Sequence, residues 1–132
     1  MRLLVADIGG TNARFGFQKE KNSEITCVQF LACKDFIKIE DAIDCYINSN
    51  NLTIKNLSLS VAAPCSKNVV KFTNNHWTFD KRKILKKFGC FSVLVINDFA
   101  AQGLGFSNFF LSEKISFSSE VLNKHRLVLL KK

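Results

Sequence analysis

The fold is decided by one stretch near the start of the chain, LLVADIGGTNAR at residues 3–14. Its first half, Leu3–Ile8, is apolar on both faces apart from one acid, which predicts a buried strand. Residues 9–12 predict a turn, and residues 13–18 then alternate large apolar with small or polar side chains. Two strands joined by a Gly-Gly turn predict a β-hairpin.

A third strand and a helix are predicted next. Residues 24–32 predict the strand through an imperfect alternation of apolar side chains. Asp35 is then the expected helix N-cap, and the asparagine-rich residues 48–51 are expected to end the helix. Apolar side chains recur in this helix at spacings of three and four, so they share one face: Phe36, Ile39, Ile43, Tyr46 and Ile47.

Strands and helices alternate over the following residues. Strands are expected at residues 57–62, 69–73 and 92–96, and helices at 81–88 and 99–104. Asp80 is the expected N-cap of the basic helix at 81–88, and Gly89 ends it. This alternation implies parallel pairing with right-handed crossovers, so the fold class is α/β, with a mixed five-stranded sheet flanked by helices.

Composition limits the classes of function. The 132 residues are 47% hydrophobic, which predicts one folded domain with a real core. The net charge of +8 would suit a nucleic-acid-binding domain, but that alternative rests on charge alone. The lysines are scattered and lack interleaved aromatic residues, so no nucleic-acid partner is expected. Without a signal peptide or an apolar run of about 20 residues, we expect a soluble, cytoplasmic protein with no membrane partner.

The cysteines and histidines show no zinc-binding pattern. The five cysteines are never spaced C-x-x-C, and the two histidines lie far apart in the sequence. Because free cysteine is among the most buried residue types, we expect five reduced and mostly buried thiols.

The Gly-Gly turn carries the first chemical signal. Gly9 and Gly10 follow a strand end, where backbone N–H groups can approach an anion without a Cβ in the way. Thr11, Asn12 and Arg14 add side-chain donors and a fixed positive charge. Asp7 ends the strand, where its carboxylate could hold Mg²⁺ through water. A plain hairpin turn beside an ordinary acid is the alternative, and the joint presence of these polar residues favours the phosphate site.

The segment INDFAAQ at residues 96–102 carries the second signal. Asp98 follows a buried strand, at the strand end where α/β sheets place their ligands. In phosphoryl transfer an aspartate often accepts the proton of the attacking hydroxyl. A helix N-cap also explains Asp98, and the two roles are compatible.

These motifs resemble those of the bacterial glucokinase family, which belongs to the sugar-kinase, Hsp70 and actin superfamily. DIGGTNAR at residues 7–14 is similar to the first phosphate motif of the family, and INDFAAQ matches its signature residue for residue. VAAP at residues 61–64 resembles a family strand that ends in A-x-P, with Ala where Gly is common. FTNNHW at residues 72–77 resembles the T-N-x-x-W loop beside the sugar.

The resemblance implies a lobe of the actin-like ATPase (ribonuclease H-like) fold that phosphorylates glucose with ATP and Mg²⁺. It implies that Asp98 is the general base for the sugar 6-hydroxyl and that Asn97 binds a sugar hydroxyl, with Asn74 and Thr73 also at the sugar. The residues implied at the ATP phosphates are Gly9, Gly10, Thr11, Asn12 and Arg14, and Asp7 is implied at the metal.

The resemblance covers about residues 3–106. We therefore expect residues 1–106 to form the N-terminal small lobe and residues 107–132 to be a divergent or truncated tail, because no second glycine-rich loop or E-G-G-H stretch is present. A half-enzyme of little activity alone follows, with a second-lobe chain or self-association as the expected partner. The alternative is a non-catalytic remnant or interaction module.

Overall fold

The computed structural model describes residues 1–97, which contain a five-stranded sheet, a two-stranded sheet and two α-helices. The strands are β1 (Leu3–Ile8), β2 (Asn12–Gln18), β3 (Thr26–Ala32), β4 (Asn56–Val61), β5 (Val69–Lys71), β6 (Thr78–Asp80) and β7 (Ser92–Asn97), and the helices are α1 (Ile39–Ser49) and α2 (Lys81–Phe88). Asp98, the helix expected at 99–104 and the tail at 107–132 lie outside the described residues.

The large sheet has the strand order β3-β2-β1-β4-β7. β1 and β2 form the expected antiparallel hairpin, and β3 continues it on the outer side. β1 pairs in parallel with β4, and β4 pairs in parallel with β7. The connections between the parallel strands contain α1 and α2. The predicted mixed five-stranded sheet is therefore confirmed.

One face of this sheet holds the main core. Phe15 of β2 stacks on Tyr46 of α1 with ring centroids 5.0 Å apart, and both side chains are fully buried. Ile84 of α2 belongs to the same cluster, so both helices lie on this face. Burial of each such side chain contributes about 1.5–3 kcal/mol relative to leaving it in water, which makes this face the main source of stability.

Helix α1 begins later than the sequence predicts. Asp35 is the last residue of a short 3₁₀ helix, Cys33–Asp35, and the chain then runs extended through Phe36. The α-helix starts at Ile39, where the Asp41 carboxylate accepts the Lys38 backbone N–H at 3.3 Å. The expected N-cap at Asp35 is therefore wrong, because tertiary contacts hold the following backbone extended.

Helix α2 has the predicted ends. The Asp80 carboxylate caps its start by accepting the Arg82 backbone N–H at 2.9 Å. Gly89 ends it in the left-handed region, at φ 60°, where a residue with a Cβ would be strained. Within residues 1–97, no helix is long and apolar enough to cross a membrane.

A second, small sheet lies between β4 and α2 in the sequence. β5 and β6 pair antiparallel over three residues each, and β6 was not predicted. Val70 and Phe79 face each other across this pair, and both are buried in the main core. The small sheet therefore anchors the residues between them, 72–77, to the body of the domain.

The cysteines are all free thiols, as expected, but they are not mostly buried. Cys33 and Cys90 are buried, Cys45 and Cys65 are half-buried, and Cys27 is exposed. The expectation failed for Cys27 because it lies on β3, the outermost strand of the sheet.

Candidate functional site

The carboxyl ends of the three parallel strands lie side by side. Ile8 of β1 pairs with Val61 of β4, and Val61 pairs with Asn97 of β7. The turn after β1, the loop after β4 and the position that follows Asn97 therefore leave the sheet at one edge. In open α/β sheets ligands bind at this edge, so the candidate site lies here.

The turn after β1 is closed by its own backbone. The Gly9 N–H donates to the Asn12 carbonyl at 2.9 Å, and the Cys33 N–H donates to the Thr11 carbonyl at 2.9 Å. The side chains of Thr11 and Asn12 are exposed at the tip. These bonds fix the turn and leave two polar side chains directed to solvent.

Asp7 and Arg14 face each other across the hairpin. They are register partners on β1 and β2, and their carboxylate and guanidinium groups are 3.6 Å apart. The guanidinium also lies over the ring of Phe30, 5.8 Å from its centroid. The Asp7 side chain is 37% exposed, so its carboxylate reaches solvent next to a neutralising positive charge.

The segment at residues 73–77, called the T-N loop from here on, packs directly on the turn. The Asn75 side-chain amide donates to the Gly9 carbonyl at 3.2 Å. A Cβ built on Gly10 would lie 3.0 Å from the main-chain oxygen of Asn74. The two predicted motifs, far apart in sequence, are therefore in contact.

A single carbonyl holds the far end of the T-N loop. The Trp77 indole N–H donates to the Phe36 carbonyl at 3.1 Å, and the His76 Nε2 atom lies 2.7 Å from the same oxygen. Trp77 is 1% exposed and packs edge-on against Phe72, so it is a packing residue. Thr73 and Asn74 remain exposed beside the turn.

The loop after β4 holds two further predicted site residues, Asn97 and Thr73, through hydrogen bonds to its carbonyls. The Asn97 side-chain amide donates to the Ala63 carbonyl at 3.0 Å, and the Thr73 hydroxyl reaches the Ala62 carbonyl at 3.5 Å. Neighbouring carbonyls of one loop thus hold Asn97 and Thr73, which lie 24 positions apart in the sequence. Two of the three residues predicted at the sugar are therefore anchored to the same loop.

Sequence reasoning missed the residues that join these parts. Asn75 was only a variable position in the T-N-x-x-W pattern. Cys33 lies under the turn, with its sulfur 3.8 Å from the Gly9 carbonyl, and burial raises the pKa of its thiol. The Phe36 carbonyl has no sequence signal, because any residue supplies one. Within residues 1–97, no group of three or more His, Cys, Asp or Glu side chains is arranged so that it could hold a metal ion.

The sequence also matches a known protein family over most of its length. The family model described as Glucokinase matches residues 4–129. The chain belongs to the glucokinase family. A glucokinase of Helicobacter acinonychis is 40% identical over 108 residues, and one of Marinobacter nauticus is 39% identical over 103 residues. These matches cover 79% and 77% of this chain but 32% of each relative, so the chain spans about a third of their length.

Solved glucokinase structures share the fold of this family member. The glucokinase of an Antarctic psychrotroph superposes with a TM-score of 0.68 at 32% identity, covering 75% of this chain and 33% of that one. A ROK family glucokinase of Streptomyces griseus, solved with glucose and AMPPNP, gives a TM-score of 0.60 at 23% identity over 83% of this chain and 37% of that one. The predicted sugar-kinase fold is therefore confirmed.

Proposed function

We propose that this protein works as a glucokinase, transferring a phosphoryl group from ATP to the 6-hydroxyl of glucose in the cytoplasm. The observation that carries the proposal is the contact between the turn at residues 9–12 and the T-N loop, with Asn97 at the same sheet edge. The resemblance assigns these parts to phosphate and sugar, and phosphoryl transfer requires both to be held together. The named glucokinase relatives at about 40% identity support the same activity.

In this proposal the turn binds the ATP phosphates. The exposed Thr11 and Asn12 side chains supply donors to the phosphates, and Gly9 and Gly10 form the tight turn that presents them. Arg14 adds a positive charge two residues along β2 from Asn12. The AMPPNP complex of the S. griseus relative supports a nucleoside triphosphate as phosphoryl donor.

Mg²⁺ would be held through water at Asp7. One partly exposed carboxylate suits this ion, because Mg²⁺ usually keeps several waters and takes further oxygens from phosphates. The Arg14 guanidinium at 3.6 Å already balances part of the Asp7 charge, which favours an indirect, water-mediated contact over a tight one. When bound, the ion supplies charge neutralisation at the transferring phosphate.

The sugar would lie beside the T-N loop. Thr73 and Asn74 expose polar side chains there, and Asn97 projects from the adjacent strand end. Asp98, the next residue along, is proposed as the general base for the 6-hydroxyl. A positioned base of this kind contributes about 10²–10⁴-fold to the rate.

We expect the 132-residue polypeptide to turn over little by itself, because it spans about a third of the length of its relatives. A site that orients only part of each substrate loses much of the advantage of positioning. A second chain that supplies the remaining groups, or self-association, is the proposed partner.

The test is glucose 6-phosphate formation from glucose and Mg·ATP by the purified chain, with Asp98→Asn as the matched control. Turnover that the control abolishes would support the proposal. If neither protein turns over, saturable Mg·ATP binding that Thr11→Ala weakens would still support a phosphate site. Neither turnover nor binding would refute the proposal and favour a non-catalytic interaction module.

A further inference from the structure

Asn75 bridges the two halves of the candidate site. Its side-chain Nδ2 donates to the Gly9 carbonyl at 3.2 Å, and its Oδ1 accepts the Trp77 backbone N–H at 2.7 Å. One amide therefore bonds at one end to the turn at residues 9–12, named the phosphate turn after its proposed role, and at the other end to its own loop. Asn75 is half-buried, whereas its neighbour Asn74 is exposed.

The surrounding contacts leave little freedom in this bridge. Gly10 has no side chain, and Asn74 occupies the space that its Cβ would need, with the nearest atoms at 3.0–3.2 Å. At its other end, the loop is held by the Trp77 indole on the Phe36 carbonyl at 3.1 Å. The Asn75 amide lies between the Gly10–Asn74 packing contact and the Trp77–Phe36 hydrogen bond.

We propose that Asn75 is a positioning residue that fixes the T-N loop relative to the phosphate turn. Through it, the exposed Thr73 and Asn74 side chains keep a constant distance from the phosphates bound at the turn. The inference rests on the proposed function for its purpose, but the coupling of loop and turn can be measured without any substrate. A misplacement of reacting groups by about 1 Å can lower the rate about 10²-fold, so a hydrogen bond that fixes their distance would affect the rate of phosphoryl transfer.

The chemistry of the amide allows a selective test. Aspartate has nearly the shape of asparagine but carries two acceptors and no donor. Asn75→Asp therefore keeps an acceptor for the Trp77 N–H and loses the donor to the Gly9 carbonyl. Asn50→Asp is the matched control, because the Asn50 amide donates to the Tyr46 carbonyl at 2.9 Å and to Gln29 at 3.0 Å, away from this site.

The first experiment uses NMR of the isotope-labelled chain without ligand. In Asn75→Asp we expect shifts of the Gly9 carbonyl carbon and the Gly10 amide, and about three- to tenfold faster hydrogen exchange of the Gly9 amide, as loss of one hydrogen bond predicts. Asn50→Asp should leave these signals unchanged. Unchanged turn signals in Asn75→Asp would overturn the inference.

A titration with Mg·ATP separates this inference from the proposed function. In the wild type, the backbone amide signals of Gly10 and Asn74 should shift with the same midpoint concentration of Mg·ATP. In the uncharged variant Asn75→Ala, the Gly10 response should persist while the Asn74 response falls about threefold or more; an unchanged Asn74 response would contradict the coupling. If Mg·ATP shifts no signal in the wild type, the proposed phosphate site fails, and the ligand-free experiment still decides the role of Asn75.

Discussion

Gly10 and Asn74 touch where the phosphate turn meets the T-N loop. A Cβ at Gly10 would lie 3.0 Å from the main-chain oxygen of Asn74 and 3.2 Å from its side-chain amide. Neither Gly9 nor Gly10 has a positive φ; among residues 1–97 the only glycine that does is Gly89. The requirement for glycine at position 10 is therefore one of space, and it comes from the loop as well as from any bound anion.

Gly10→Ala should force the two segments apart. The added methyl group meets backbone, which cannot rotate away, so we expect a loss of about 1–3 kcal/mol in the free energy of unfolding. Mg·ATP binding should weaken as well, because the turn must shift. Urea unfolding followed by the fluorescence of the single tryptophan, Trp77, measures the first effect.

Gly9→Ala is the comparison for this variant. Its Cβ would lie 3.3 Å from the Asn12 carbonyl, a milder contact inside the turn itself. We expect a smaller loss of stability than in Gly10→Ala. If Gly10→Ala were as stable as the wild type, the T-N loop could move away from the added methyl group without cost. The contact with Asn74 would then not require glycine at position 10.

Lys81→Ala should destabilise the loop that follows β4. Lys81 is 5% exposed, and its ammonium group donates to the Cys65 carbonyl at 2.6 Å. Loss of a buried, charge-assisted hydrogen bond predicts about 1.5–3 kcal/mol less free energy of unfolding. Equilibrium urea denaturation provides the value. Lys83→Ala, on the exposed side of the same helix, should change it by less than about 0.5 kcal/mol; similar losses in both variants would argue against a special role for Lys81.

The α2 cap should make stability depend on pH in the acid range. Hydrogen bonds from the Arg82 side chain, then from its backbone, lower the pKa of Asp80 from 3.8 to about 2. A lowered folded pKa stabilises the protein above the unfolded value, and this contribution is lost as pH falls from about 4 through about 2.

Asp80→Asn measures this contribution, because asparagine also caps helices but carries no charge. Thermal unfolding from pH 2 to pH 7 should give a melting temperature difference that is constant above about pH 4 and disappears near pH 2. If the difference in melting temperature did not change with pH, the charge of the Asp80 carboxylate would not be its source.

The thiols should differ in reactivity according to burial. Cys27 is exposed, whereas burial raises the pKa of Cys33 and Cys90 and keeps them protonated at neutral pH. We expect Cys27 to react with a thiol reagent about tenfold or more faster than these two. Mass spectrometry of timed samples identifies the order, and urea should make all five equivalent. Early labelling of Cys33 would mean that the turn above it opens readily.

The strands of the large sheet and the second helix could be predicted because their signals are local. The run of β1, apolar apart from Asp7, and the alternation of β2 follow from burial alone. Asp80 accepts a backbone N–H at the start of α2, and the Gly89 N–H donates to carbonyls at its end. Both helix boundaries could therefore be found from neighbouring residues. The expected site residues that the structure describes also lie at one sheet edge, since the strand ends could be read from the sequence.

Features that depend on distant residues could not be predicted. Asp35 has the chemistry of an N-cap, but His76 and Trp77 bind the carbonyl of the next residue, Phe36, which stays extended. β6 is three residues long and exists only through its pairing with β5. The Asn75 bridge joins positions 66 apart, and no local pattern encodes it.

The order of the strands has a consequence for how the site is assembled. β1 pairs with β2 across a short turn. Its pairing with β4 joins residues far apart in the sequence, such as Leu3 and Asn56. Closing a long loop costs more entropy than closing a hairpin, so the parallel pairs form later. During synthesis the phosphate turn can therefore take shape soon after residue 32 has emerged, while the edge that would receive the sugar is complete only once residue 97 has been added to the growing chain.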